Sequence, residues 1–252
     1  MNNPRAFGQN EQAGAFVEVN GIQLYYEIYG KGEPLLLLHG TGQSISAFRF
    51  QIPYLEKHYQ VIIADCRGRG RSTDTSDELT YELQASDISK FLDALQISST
   101  NIVGWSDGGI IGIIMAITYP AKVKKLVAMG SNIHPEGLFP ERLASHRAEF
   151  ERLKRINNPE NQILIKLYKL LSHYPKLRFE ELSAIKSPTL IMAGDHDVIQ
   201  DLHSLKIFHS IANAHLAIMP GETHGMPVTN PELFNSTVYR FLKTPFKKPE
   251  RY

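Results

Sequence analysis

Asn101-Ile102-Val103-Gly104-Trp105-Ser106-Asp107-Gly108-Gly109-Ile110 sets a short apolar run, a G-x-S-x-G segment and the start of a long apolar stretch in direct succession. The succession reads as a strand, a sharp turn and a helix, with Ser106 at the tip of the turn, a nucleophile elbow. Such a turn presents a hydroxyl above the end of a sheet. It requires glycines on its flanks because bulkier residues there would close it. Three specified positions at about 7% usage each are matched by chance in roughly one chain of this length in ten. The surroundings of the motif therefore have to carry the assignment.

Those surroundings repeat one pattern. Residues 34–39 are a short apolar run ending in His39-Gly40-Thr41-Gly42. Residues 189–193 are another, ending in Gly194-Asp195-His196-Asp197, and residues 214–219 a third, followed by Pro220-Gly221-Glu222-Thr223-His224-Gly225. Each reads as a strand opening into a loop. A serine, an acid and a histidine thus occur in that chain order, each after a predicted strand, unlike the orders of chymotrypsin-like and subtilisin-like enzymes. On these residues the chain resembles the α/β-hydrolase-fold serine hydrolases, over residues 16–242. Within that superfamily Gly104-Trp105-Ser106-Asp107-Gly108-Gly109 and the insertion that follows are similar to the valacyclovir hydrolase group and related small bacterial esterases. Asp65-Cys66-Arg67-Gly68-Arg69-Gly70-Arg71-Ser72 matches the D-x-R-G-x-G-x-S turn common in the superfamily.

The roles follow from chemistry and from that resemblance together. A serine hydroxyl is too weak an acid to attack an ester unaided, so Ser106 needs a base. By family position the base is His224; its rival His39 belongs to the H-G-x-G segment, where it would shape the oxyanion loop. The acid that orients the imidazole is Asp197 by resemblance, as the fourth residue of a G-x-x-D segment. Asp195 would instead cap the turn through its own backbone. The resemblance also implies an oxyanion hole made by the backbone N–H groups of Thr41 and Asp107. The Asp107 side chain leaves two readings open. It favours the positive end of the following helix, or it binds a cationic substrate such as an α-amino ester, as the valacyclovir hydrolase group does. Arg67, Arg69 and Arg71 alternate with small residues and read as a structural turn, without the interleaved aromatics of a single-strand nucleic-acid groove. Cys66, at a strand end after Asp65, reads as a passive residue rather than a second nucleophile. His196, His203, His209 and His215 have no recognised metal-ligand spacing.

Along the chain, residues 16–19 and 22–29 alternate around Asn20-Gly21 and predict an antiparallel hairpin. Residues 35–38, 61–64, 101–103 and 123–129 read as buried parallel strands. Helices are expected over residues 46–57, 81–95 and 106–119, the last apolar on nearly all faces, with Gly109 and Gly112 allowing close approach. Residues 1–131 and 187–252 would form one core domain and residues 132–186 a small helical cap, with helix starts at Pro140 and Asn158-Pro159. In the cap Leu164, Leu167, Tyr168, Leu171 and Tyr174 recur at helical spacing, which reads most simply as packing onto the main domain. Glu136, Glu141, Arg142 and His134 are left unassigned between pocket and solvent. Residues 243–252, with two prolines, are expected to be frayed. The fold expected is α/β: a mostly parallel central sheet with an N-terminal antiparallel hairpin and a helical cap.

Composition narrows the function classes. The 252 residues are 42% hydrophobic, enough for a sizeable core, and 27 Lys plus Arg nearly cancel 26 Asp plus Glu. That balance gives no electrostatic footprint for nucleic acid or an anionic membrane. Residues 1–14 are polar without an apolar signal core, and no run reaches the roughly 18 apolar residues of a membrane span, so a cytoplasmic location is expected. A single cysteine excludes an internal disulfide. The sequence reading is a cofactor-free, metal-free carboxylesterase-like serine hydrolase acting on small esters, as a monomer or small homo-oligomer. A carbon–carbon bond hydrolase using the same residues, or a small-ligand receptor on this fold, stays open.

Overall fold

The computed structural model describes residues 6–156 and 158–250. Eight strands form one sheet: β1 (Gly14–Val19), β2 (Ile22–Tyr29), β3 (Pro34–Leu38), β4 (Gln60–Ala64), β5 (Thr100–Trp105), β6 (Val123–Met129), β7 (Thr189–His196) and β8 (Ala214–Thr223). Their lateral order is β1-β2-β4-β3-β5-β6-β7-β8. β1 and β2 pair antiparallel, as do β2 and β4, and all later pairings are parallel. Asn20 and Gly21 both take positive φ, 45° and 74°, which is the twist-matched two-residue hairpin turn that an Asn-Gly pair favours.

Eight helices accompany the sheet among the described residues: α1 (Ile52–Leu55), α2 (Tyr81–Ala94), α3 (Asp107–Thr118), α4 (Pro140–Ile156), α5 (Gln162–His173), α6 (Asp201–Ser210), α7 (Met226–Thr229) and α8 (Pro231–Lys243). The side-chain period of two sorts each buried strand between two cores. Leu36 and Leu38 of β3 face a core shared with α2, α3 and α6, while Leu35 and Leu37 face one shared with α1 and α8. Ile62 and Ala64 against Val61 and Ile63 of β4 divide the same way. The sheet is covered on both faces, which explains why its strands read as continuous apolar runs.

α3 is buried from Asp107 to Ala116. A Cβ at Gly112 would lie 2.6 Å from Leu126 Cδ1 on β6, so glycine there sets how near the helix can come to the sheet. The helix expected over residues 46–57 is broken instead into a 3-10 turn, Ile45–Phe48, and the single turn α1. Pro53 lacks the N–H that a continuous helix would direct at Arg49.

Between β6 and β7 the chain leaves the sheet to form α4 and α5, which pack on each other. α4 begins at Pro140 as expected. Pro159 instead opens a 3-10 turn, Pro159–Asn161, before α5, with the Asn158 side chain accepting from Glu160 N at 3.0 Å. A further 3-10 segment, Phe179–Ala184, returns the chain, and Leu182 and Ile185 join the core beneath α3 and α6. Past α8 the described residues carry no helix or strand, yet the Phe246 ring sits 4.7 Å from His215; Arg251 and Tyr252, in the segment expected to fray, lie outside the described residues. Among the described residues no helix is long and apolar enough to cross a membrane.

Candidate active site

The elbow places Ser106 at the mouth of the β5–α3 junction with φ 56° and ψ −119°, a conformation rare for a residue with a side chain. The chain around it holds it there. Ser106 N donates to Met129 O at 2.8 Å, and Gly109 N and Ile110 N donate to Ser106 O at 2.9 and 3.1 Å. A Cβ on Gly108 would fall 1.9 Å from Leu38 O, which is the physical reason for glycine two positions after the serine.

His224 and Asp197 arrive from the ends of β8 and β7. His224 Nδ1 lies 2.7 Å from Asp197 Oδ1, which also accepts from Ile199 N at 3.1 Å. The Asp197 side chain is fully buried and that of His224 about one quarter exposed. With Nδ1–H committed to the carboxylate, Nε2 is left with the free lone pair. Two further contacts fix the His224 loop. Trp105 Nε1 donates to His224 O at 2.8 Å, and Gly130 leaves room for the ring, since a Cβ there would come within 2.7 Å of it.

The other candidates separate clearly. His39 is fully buried and its Nε2 accepts from Cys66 N at 3.0 Å, so Nδ1–H donates to Gly40 O at 2.8 Å. Burial, reinforced by the Arg69 charge, pushes its pKa down to about 4. It is a neutral brace of the Gly40–Thr41 turn with neither nitrogen free. Asp195 bonds its own backbone N–H, as expected, and reaches further. Its Oδ1 accepts from Gly221 N at 2.8 Å and meets His196 Nδ1 at 2.8 Å, because the β7 extension brings it beside the β8 loop. Arg67 holds Asp87 with Nε and Nη2, each at 2.7 Å, Arg69 donates to Gln84, and Arg71 lies over the Tyr25 ring at 4.2 Å. All three arginines are thus engaged within the protein. Burial pushes the Cys66 thiol up to about 11, which makes it a poor nucleophile. Among the described residues no group of three His, Cys, Asp or Glu side chains is placed to hold a metal ion.

Asp107 is turned inward. It is 1% exposed, Tyr81 Oη donates to its Oδ1 at 2.8 Å, and its Oδ2 has no hydrogen-bond partner. Burial and the adjacent carboxylate raise the Tyr81 hydroxyl well above its ordinary pKa, so it stays a donor. As the first residue of α3, Asp107 also offers a backbone N–H without an intrahelical acceptor.

Ser106, Asp107, Thr41 and His224 line one cavity of about 160 Å³, with Asp197 behind His224. The other walls come from Tyr81 and Trp105 and, above the sheet, from Leu138, Arg142, His146, Leu171, Tyr174 and Ile199. The α5 stripe is therefore divided: Leu171 and Tyr174 reach the cavity, Leu167 is buried and Leu164 is 41% exposed. Of the four unassigned polar residues, Arg142 lines the cavity, whereas His134 and Glu136 line a separate surface depression and Glu141 borders another. His146 and Tyr81 were not singled out from sequence, since nothing in their local pattern distinguishes them from ordinary helix residues.

A serine at a strand–helix elbow, with an acid-oriented histidine just after the last strand of a β1-β2-β4-β3-β5-β6-β7-β8 sheet lining the same cavity, agrees with a sequence profile described as "alpha/beta hydrolase fold", which matches residues 33–155. This is an α/β-hydrolase-fold protein. The curated proteins similar to this chain include the putative carbamate hydrolase RutD of Caulobacter sp. (strain K31), 28% identical over 87% of this chain and 95% of that protein. They also include the serine hydrolase BPHL of Mus musculus, 28% identical over 91% of this chain and 86% of that protein. Among solved structures, the enol-lactonase from Burkholderia xenovorans LB400 superposes with a TM-score of 0.76 at 22% identity, covering 91% of this chain and 100% of that one.

Proposed function

We propose that this α/β hydrolase is a serine esterase that cleaves small carboxylic esters through an acyl-enzyme on Ser106, and that α-amino-acid esters are its preferred class. The observation that carries the reading is the 2.7 Å bond from His224 to buried Asp197, placed beside the Ser106 elbow in one cavity. In this reading His224 Nε2 takes the Ser106 proton as Oγ attacks the carbonyl carbon. Asp197 stabilises the imidazolium that forms. The N–H groups of Asp107 and Thr41 receive the oxyanion, His224 returns the proton to the departing alcohol, and water releases the acid by the same steps. The names of the relatives, a serine hydrolase and a putative carbamate hydrolase, accord with attack on an acyl carbon by a serine.

The substrate class rests on Asp107. An inward carboxylate with a buried, unpartnered Oδ2 repels a neighbouring oxyanion unless a positive charge offsets it, and the α-ammonium group of an aminoacyl ester would do so. The cavity volume supports a small acyl group, since an engineered cavity of about 150 Å³ holds a benzene ring. The insertion carrying α4 and α5 would act as the cap over this site.

Intact-mass analysis after fluorophosphonate treatment tests the nucleophile. One adduct is expected on the native chain, none on Ser106→Ala, and labelling slowed at least about a hundredfold on His224→Ala. An adduct that persists on Ser106→Ala would remove the reading. The absence of any adduct on the folded native chain would instead favour ligand binding without turnover.

A further inference from the structure

The cavity lining carries a second polar group, opposite in sign to Asp107. α4 carries Arg142 and His146 one helical turn apart, hence on one face, and both line the cavity. Arg142 has no ion-pair partner among the described residues. Glu136 pairs with Arg147 at 3.3 Å and Asp197 with His224 at 2.7 Å, while Asp197 Oδ2 has no partner and the Arg142 side chain, at the cavity rim, is exposed. His146 is 7% exposed, and its Nδ1 is buried without a hydrogen-bond partner. Burial and the adjacent Arg142 charge push the His146 pKa down to about 4, so the imidazole is neutral and keeps one N–H to donate.

A buried polar nitrogen without a partner is costly, and so is a buried carboxylate oxygen without one. The residues that carry these atoms, His146 and Asp107, both line the same cavity, together with the apolar side chains of Leu138, Leu171, Val198 and Ile199. A neutral ester would satisfy neither end. A ligand with a cation at one end and an anion at the other would satisfy both. We propose that Arg142 and His146 form an anion subsite that receives a carboxylate on the substrate, distant from the ammonium group held by Asp107. This rests on the aminoacyl-ester reading and narrows it to aminoacyl esters bearing a second, anionic group. The carboxylate can belong either to the acyl side chain or to the leaving alcohol, and the same guanidinium–carboxylate chemistry serves both.

Two isosteric pairs distinguish these sources while keeping the ammonium constant. The first is L-glutamate α-methyl ester against L-glutamine α-methyl ester. The second is the L-alanyl ester of glycolate against that of glycolamide. The native protein is expected to favour the anionic member of one pair by roughly tenfold or more in kcat/KM, expressed in KM, as a charge-assisted hydrogen bond implies. In Arg142→Gln that ratio falls towards one, and in Arg142→Lys it is partly restored. The responding pair identifies where the carboxylate sits. Ratios near one in both pairs for the native protein, or a ratio unchanged in Arg142→Gln, would overturn the subsite while leaving the esterase intact. If none of the four esters is turned over and Ser106 takes no fluorophosphonate, the esterase reading itself fails and the subsite with it.

Discussion

Asp107 carries two charges' worth of consequence in one side chain. Under the proposed mechanism its N–H receives the oxyanion, and its carboxylate, buried and held by Tyr81 Oη at 2.8 Å, adds negative charge next to it. Buried Arg69, whose Nε and Nη1 have no partner, supplies fixed positive charge to the same region but lines no part of the cavity. A substrate ammonium in the cavity would sit beside the buried Asp107 carboxylate, whose Oδ2 has no partner. Asp107→Asn preserves shape and removes the charge. For an alanine ester this variant is expected to lose about ten- to a hundredfold in kcat/KM, the range of a hydrogen bond to a charged group. The N-acetylated ester should lose little or gain. Equal losses on the two esters would show that the carboxylate serves the elbow and not the substrate.

At the scale of elements, the N-terminal hairpin hides a buried charge. Glu27 of β2 has no exposure, and its carboxylate accepts from Gly8 N at 3.0 and 2.9 Å, Asn10 N at 2.8 Å, Tyr25 Oη at 2.8 Å and Tyr29 Oη at 2.7 Å. Tyr25, Glu27 and Tyr29 share a strand face, so one carboxylate ties the segment before β1 to the sheet. Glu27→Gln replaces an acceptor oxygen by a donor that meets N–H and O–H groups. It is expected to destabilise the fold by about 2–4 kcal/mol, seen as a lower urea midpoint. A change below about 0.5 kcal/mol would mean that water satisfies these donors equally well.

This knot was invisible in sequence because it joins residues 17 to 19 apart through side chains of unremarkable pattern. What the sequence did reveal was periodic: the Asn20-Gly21 hairpin, the apolar strands and the all-apolar α3 follow from spacing and turn chemistry. Strand ends alone offered Asp195 beside Asp197 and His39 beside His224, and the family resemblance chose between them; the structure pairs Asp197 with His224 at 2.7 Å. Tyr81 against Asp107 and Trp105 against His224 were not legible, since which side chains meet across a sheet depends on strand order. The pair Arg142 and His146 could be read as sharing a helix face, but not which way that face turns.

At the scale of the whole molecule, acid stability depends on histidines that the fold keeps neutral. His39, His146 and His203 are each less than 10% exposed. Burial comes first in each case, with Arg69, Arg142, and His134 together with Lys206 adding positive charge nearby. Their pKa values fall to about 4, about 4 and about 3. His203 shows the reason locally, since its Nε2 accepts from Ile133 N at 3.1 Å and cannot also hold a proton. In the unfolded chain each titrates near 6.5. Below that pH the unfolded state binds protons that the folded state refuses, so the stability present at neutral pH is lost as pH falls from about 6.5 towards about 4. Each histidine contributes a slope of up to roughly 1.4 kcal/mol per pH unit, about 4 for the three. Urea unfolding at pH 7.5, 6.5 and 5.5 is expected to give a flat upper limb and a steep fall below it. His146→Phe should remove about a third of that fall, whatever it does to stability at pH 7.5, because phenylalanine has no proton to take up. A stability that stays level between pH 6.5 and 5.5 would mean that these imidazoles are protonated in the fold, with Nε2 of His39 and His203 no longer accepting from Cys66 and Ile133.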